Sequence, residues 1–280
     1  MSGLIALDID GTLTSDHDTI PLEVLGFLDE CVEKGFDLIF ITGRSYPRTL
    51  PMIQLKSPYY LAVQNGAQCF HVPTGERIFD RFLEASLLPQ FSALSEQEPT
   101  GMVVFDPGVE EDLCYFRHQD FSRDLFEYLQ RRRKRFHETW REVTNFEEVP
   151  MQRFPALKYF GFLDSLERIC GHMHRLGLKV DAPIIRDPFG EGYYVAQVTA
   201  DGVNKGDALR RFAEHRQNGG PVIAAGDDYN DLSMIEQADV KVVMKTSPKQ
   251  LLDMGDIIAE APKDLGIIEG LKRAIGGFRL

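Results

Sequence analysis

The chain has 280 residues, enough for one large domain or two medium ones around a sizeable core, and its 43% hydrophobic and 26% charged content is ordinary for a globular protein. A formal net charge of −12 argues against a general nucleic-acid or anionic-membrane surface, since either needs a basic face; it leaves phosphorylated small molecules open, because a bound divalent cation reverses the local field. Cys31, Cys69, Cys114 and Cys170 are scattered without zinc-type spacing, the apolar sequence starts at Leu4, and no stretch is long enough to span a bilayer. The expectation is a soluble cytoplasmic protein with reduced thiols and no signal peptide.

Taken in order, residues 4–7 form a short apolar run that reads as a buried strand, opening into Asp8-Ile9-Asp10-Gly11-Thr12. Asp8 and Asp10 leave that strand on the same side, where two like charges need a cation or a shared proton. Gly11 and Thr12 add open backbone N–H groups and a hydroxyl suited to an anion such as phosphate. Pro21 opens a helix carrying Leu25, Leu28 and Val32, which Gly35 stops. Strand 36–41 runs into Thr42-Gly43-Arg44, a helix carries Leu50 and Ile53, and strand 59–63 ends at Gln64-Asn65-Gly66. That alternation is the rhythm of a parallel sheet covered on both faces.

The rhythm breaks at a hairpin, 69–72 with 77–79. Beyond it the pattern predicts strands at 102–105 and 113–116, a long helix from Phe121 to about Trp140, and a strand at 157–162. A helix at 165–176 follows, with Asp164 and Glu167 as a capping box and Gly177 as its stop, and then strands at 180–185 and 193–198. The α/β rhythm resumes with a helix after Lys205-Gly206 and a strand at 222–225 ending in Gly226-Asp227-Asp228-Tyr229-Asn230-Asp231. Strand 240–244 and a closing helix with Ile267, Ile268, Leu271 and Ile275 complete it. The fold class is α/β: a doubly wound, mainly parallel Rossmann-like core (1–82 and 199–280) with an inserted α+β domain (83–198).

In an open parallel sheet, ligands collect at the carboxyl ends of the strands, and four polar clusters fall there: Asp8 with Asp10, Thr42, Lys205, and Asp227 with Asp231. Together they hold the parts of a phosphoryl-transfer site, where catalysis is mainly positioning and charge neutralisation. Asp8 is suited to attack phosphorus, and Asp10 to protonate the leaving oxygen and then activate water. Mg²⁺ takes oxygen ligands, with Asp227 as the second carboxylate beside Asp8 and Asp231 as a supporting or additional ligand. Thr42, the Gly43 amide and Lys205 hold the phosphoryl oxygens.

These clusters resemble the haloacid dehalogenase superfamily of phosphohydrolases. The insertion between the threonine and lysine motifs resembles its Cof-like branch with a type IIB cap, and Gln64-Asn65-Gly66-Ala67 looks like a turn common there. The resemblance implies Asp8 as nucleophile, Asp10 as general acid/base, and Mg²⁺ held by the Asp8 carboxylate, the Asp10 main-chain carbonyl and Asp227. Asn230 joins the phosphate-binding set with Gly11 and Thr12, and Arg44, directly after the phosphate-motif glycine, is a candidate substrate contact. Asp228-Tyr229 departs from the family pattern, and Asp228 is expected to face solvent. The basic run 131–135 winds round its helix and is expected to be mostly solvated, His172 and His174 do not share a face, and Trp140 belongs to the core.

The activity implied is a Mg²⁺-dependent phosphatase for a small phosphorylated metabolite, with sugar phosphates first by family analogy. A phosphomutase using the same aspartyl-phosphate is the alternative, with a non-catalytic binding module behind it. Neither the ester nor the oligomeric state is written in the sequence.

Overall fold

The computed structural model describes residues 2–15, 18–96, 98–187, 190, 192–216 and 219–277. Two compact units emerge: Met1–Arg44, Thr49–Asp80 and Asn204–Leu280 in the first, Ser45–Arg48 and Arg81–Val203 in the second. The seams lie at 80/81 and 203/204, a few residues from those read in the sequence, and the four residues after Arg44 go with the second unit.

The first unit is built on an eight-stranded sheet in the order Ile257–Ala259, Val240–Met244, Val222–Gly226, Gly3–Leu7, Phe36–Ile41, Tyr59–Val63, Gln68–Val72, Glu76–Asp80. The first six strands are parallel, and the last two form the antiparallel hairpin at one edge. Gly3–Leu7 is wholly buried, as a central parallel strand must be when helices cover both faces. Leu4 and Ala6 join Ile39, Ile41, Leu209, Phe212 and Met234 in one cluster, so helices Lys205–His215 and Leu232–Glu236 cover that face. Ile5 and Leu7 are left for the other face. Helices Leu22–Glu33 and Gly266–Gly276 touch each other and lie against Phe36–Ile41 and Val240–Met244 respectively.

Leu7 pairs with Phe40 on one side and Ala225 on the other. The chain leaves Gly3–Leu7 toward one side of the sheet and later returns on its opposite side, the topological switch that opens a crevice beyond the strand ends.

The second unit carries a seven-stranded sheet, Val180–Asp181, Tyr194–Ala200, Leu157–Gly161, Gly101–Phe105, Leu113–Phe116 and Thr139–Glu142, with Ile184–Arg186 also on Tyr194–Ala200. Every pairing is antiparallel except the last, Leu113–Phe116 with Thr139–Glu142. Both faces are covered. Helices Leu88–Ser95 and Leu163–Arg175 take one, where the Tyr159 hydroxyl donates to the Phe91 carbonyl at 2.6 Å. Helix Arg123–Phe136 takes the other, packing Leu125, Tyr128 and Leu129 on Val103, Phe105, Phe116 and Phe160.

Four sequence expectations need correction. The long helix does not reach Trp140: it stops at Phe136, where His137 turns left-handed at φ 56°, and 139–142 is a strand. The helix expected to carry Leu50 and Ile53 is only Tyr46–Thr49 followed by a 3₁₀ turn, Leu50–Met52, because two prolines within five residues remove backbone donors. Helix Leu163–Arg175 starts earlier than expected and has no capping box; Phe162 is its N-cap and makes no side-chain cap. Strand 180–185 is split at Ala182-Pro183. Gly177, at φ 70°, does end its helix, with the Leu178 N–H closing back on the Met173 carbonyl at 3.0 Å. Among the described residues no helix is long and apolar enough to cross a membrane.

Candidate active site

Three adjacent parallel strands end side by side, and each releases a functional residue at its carboxyl end: Asp8 after Gly3–Leu7, Thr42 after Phe36–Ile41, and Asp227 after Val222–Gly226. Lys205 enters as the first residue of helix Lys205–His215, whose Asn204 cap accepts the Asp207 N–H at 2.9 Å. Gly206 lets that helix approach Leu232–Glu236, since a Cβ there would lie 2.4 Å from the Ser233 carbonyl oxygen.

Lys205 is the hub. Its ammonium, 1% exposed, donates to Asp8 Oδ1 and to Asp231 Oδ1, the latter at 2.7 Å. The other Asp231 oxygen accepts the Asp227 and Asp228 N–H groups, each at 3.0 Å. Asp231 therefore shapes the loop that presents Asp227, with both of its oxygens committed. The Thr12 hydroxyl donates to Asp227 Oδ1 at 3.1 Å and lies 3.4 Å from Asp8 Oδ2. It has one proton and faces two carboxylates, so its immediate partners are the carboxylates rather than an open anion cradle. Gly11 is at φ 79°, and a Cβ there would lie 2.1 Å from Asp227 Oδ2; only glycine allows this carboxylate against the backbone.

The cluster is short of positive charge. Ligand oxygens of Asp8, Asp227 and Asp231 lie within 4.8 Å of one another, three carboxylates against the single Lys205 ammonium. Burial, followed by the Asp231 charge, outweighs the pull of Lys205 and lifts Asp8 to about 7. Burial and then the Asp8 charge push Asp227 well above the usual carboxylate range. Burial alone would lower Lys205, but Asp231 and Asp8 hold it above an ordinary lysine. An all-oxygen donor set with surplus negative charge fits a hard divalent cation such as Mg²⁺.

Thr42 is buried, and its hydroxyl accepts the Arg44 N–H at 3.2 Å. The turn Gln64–Gly66 holds this loop: Gln64 and Asn65 N–H groups donate to the Arg44 and Thr42 carbonyls, each at 2.8 Å. Gln64, Asn65 and Gly66 all have positive φ (51°, 55° and 100°), the conformation that aims successive amides one way. Asn230 donates to Asn65 Oδ1 at 3.5 Å, at the limit of a hydrogen bond. Asp228 does not face solvent freely; it is partly buried, and its Oδ1 accepts the Tyr229 N–H at 2.7 Å, capping the turn Tyr229–Asp231. Arg44 is 5% exposed and forks onto Asp10, with Nε donating to Oδ2 at 2.7 Å and Nη2 to Oδ1.

Sequence reasoning thus named loops that the structure brings together, but it read Arg44 as a substrate contact rather than a partner of Asp10 and gave Asn65 no role. The Asn-Gly turn was the available signal for the second; nothing local signalled the first.

Comparison with known proteins places the family and the fold. The family model described as haloacid dehalogenase-like hydrolase matches residues 5–271. The chain is 26% identical to pyridoxal phosphate phosphatase YbhA of Escherichia coli over 259 residues, 86% of this chain and 87% of that one. A haloacid dehalogenase-like hydrolase from Bacteroides thetaiotaomicron superposes with a TM-score of 0.79 at 22% identity, covering 98% of this chain and all of that one. The subclass IIB sugar phosphatase BT4131 superposes with a TM-score of 0.72 at 19% identity, covering 96% and 98% of the two chains. A whole-chain match laid over three converging carboxylates leaves one conclusion: this chain belongs to the haloacid dehalogenase-like hydrolases and is a phosphoric monoester hydrolase.

Proposed function

We propose that the protein is a Mg²⁺-dependent phosphatase that hydrolyses a small phosphate monoester through an aspartyl-phosphate on Asp8. An Asp8 oxygen attacks phosphorus, and the ester oxygen leaves with a proton from Asp10. Asp10, now a carboxylate, takes a proton from water as that water attacks phosphorus, which frees Asp8 and releases orthophosphate. Lys205 spends two donors on Asp8 and Asp231, and its third is directed to a phosphoryl oxygen together with Thr42 and the Gly43 amide. Asp8, the Asp10 main-chain carbonyl and Asp227 would hold Mg²⁺, with Asp231 setting the Asp227 loop. The cation supplies the charge that keeps Asp8 ionised and offsets the incoming phosphoryl oxygens.

The observation that carries the reading is the convergence of Asp8, Asp227 and Asp231 within 4.8 Å of one another beyond adjacent strand ends, with the buried Lys205 ammonium bonded to Asp8 and Asp231. The substrate class is a small phosphorylated metabolite, with sugar phosphates first, and the location is cytoplasmic. A pyridoxal phosphate phosphatase among the relatives supports the small-ester part. The test is phosphate release from a panel of sugar phosphates, phosphoglycerate derivatives, pyridoxal phosphate and nucleotides. Turnover of one class that EDTA abolishes and Mg²⁺ restores is expected. No release from any ester, or release indifferent to EDTA, would overturn the reading.

A further inference from the structure

Arg44 is pinned at both ends. Its main chain is fixed by the Thr42 hydroxyl on one side and the Gln64 N–H on the other, and its guanidinium forks onto both oxygens of Asp10. The remaining terminal nitrogen, Nη1, faces Met52 Sδ at 2.8 Å, so the side chain is enclosed as well as paired. Asp10 is the more exposed partner, at 27% against 6% for the Arg44 side chain. Its own loop is short, closed by the Gly11 N–H on the Thr14 carbonyl at 2.9 Å. The fork is thus a direct side-chain link between the loop after Gly3–Leu7 and the loop after Phe36–Ile41.

We propose that Arg44 is a positioning residue for Asp10: it fixes the direction and distance from which the Asp10 carboxylate meets the leaving oxygen and the attacking water. The inference rests on the assignment of Asp10 as general acid/base above. A carboxylate on a surface loop samples many rotamers, and a planar fork holds it in one plane, which a lysine ammonium cannot do. Proton transfer is sensitive to such placement, and an error of about 1 Å can cost a factor of about 100 in rate. Arg44 therefore does not behave as the direct substrate contact suggested by its place after Gly43. To reach a ligand it would have to abandon Asp10 and leave an enclosed site.

The experiment is a double-mutant cycle with Asp10→Asn and Arg44→Gln, read on ring-substituted phenyl phosphates whose leaving groups differ in basicity. Arg44→Gln is expected to lower kcat about 10- to 100-fold. The loss should be greatest for basic leaving groups and smallest for p-nitrophenyl phosphate, with KM nearly unchanged. In the Asp10→Asn background it should do nothing further, because the group it positions is gone. Arg44→Lys keeps the charge and much of the stem and should recover only part of the rate, which keeps the proposal testable if Arg44→Gln folds poorly. An equal loss in both backgrounds, or a rise in KM at constant kcat, would overturn the positioning role and leave the phosphatase reading intact. Full activity in Asp10→Asn would overturn the positioning role together with the assignment of Asp10 as general acid/base, and would still leave a phosphatase.

Discussion

Two groups of buried charges face opposite problems in this molecule. In the first unit, Asp8, Asp227 and Asp231 crowd within 4.8 Å of one another, and the Lys205 ammonium bonds two of them, Asp8 and Asp231. In the second, three cations (Arg48, Arg132, Lys158) meet three anions (Asp112, Glu138, Asp187). Glu138 is the centre of that group: Arg132 Nη1 donates to both its oxygens at 2.7 and 2.9 Å, Arg48 lies at 3.3 Å, and the Trp140 indole donates at 3.1 Å. Arg132 Nε also lies 3.2 Å from Asp187. Burial would raise Glu138, yet Arg132, Arg48 and Lys158 bring it down to about 2, whereas Asp8 stands at about 7. Charge balance separates the two: in one cluster cations match anions and tie strands and a helix together, and in the other negative charge is in excess, as the proposed cation and phosphoryl site requires.

Removing one carboxylate from each cluster should break this contrast in opposite directions. Asp8→Asn should lower phosphatase kcat by about 10⁴-fold or more, as loss of a nucleophile does elsewhere, without lowering the melting temperature. Glu138→Ala strands Arg132 and Arg48 without their shared anion, and chemical denaturation should register a loss of about 3–5 kcal/mol. Folded Glu138→Ala protein should keep its response to EDTA.

Acid sharpens the same difference. Glu138 is ordinarily near 4.5 and falls to about 2 when folded, so its stabilisation is complete above pH 4.5 and disappears as pH drops through 2. Wild type should therefore lose up to about 3 kcal/mol more than Glu138→Gln between pH 5 and pH 2 in urea titrations. Lys158 acts at the other end. Burial, then Arg132 and Arg48, lower it from 10.5 to about 8, so the unfolded chain binds the extra proton between those values and stability rises with pH there. Lys158→Met should flatten that rise. The smallest effect belongs to Asp227→Asn, which relieves repulsion in the cluster with excess negative charge. Metal-free protein should become more stable in thermal or urea unfolding, and added Mg²⁺ should no longer raise its melting temperature.

Much of the site was legible because strand ends and the loops after them are local in sequence: each of Asp8, Thr42 and Asp227 follows an apolar run directly. The less legible parts depend on partners far along the chain. Nothing near Arg44 announces Asp10, 34 residues earlier. Thr139–Glu142 went unread because the basic residues before it continue a helical pattern, and the reversal at His137 is a left-handed turn without glycine. Ile257–Ala259 is only three residues long, too short for alternation to register. Arg132 is a different case. It falls in the stripe Leu125, Leu129, Arg132, Phe136, a spacing that could have marked it as the inward member of the basic run 131–135 but was not read so.

The most direct measurement is to trap the covalent intermediate. Acid quenching during turnover with Mg²⁺, borohydride reduction and peptide mass spectrometry should convert residue 8 to homoserine, the reduced form of an aspartyl-phosphate. No such product should form with EDTA or in Asp8→Asn. Steady phosphate release with Asp8 unreduced, or with homoserine at any other aspartate, would contradict the account.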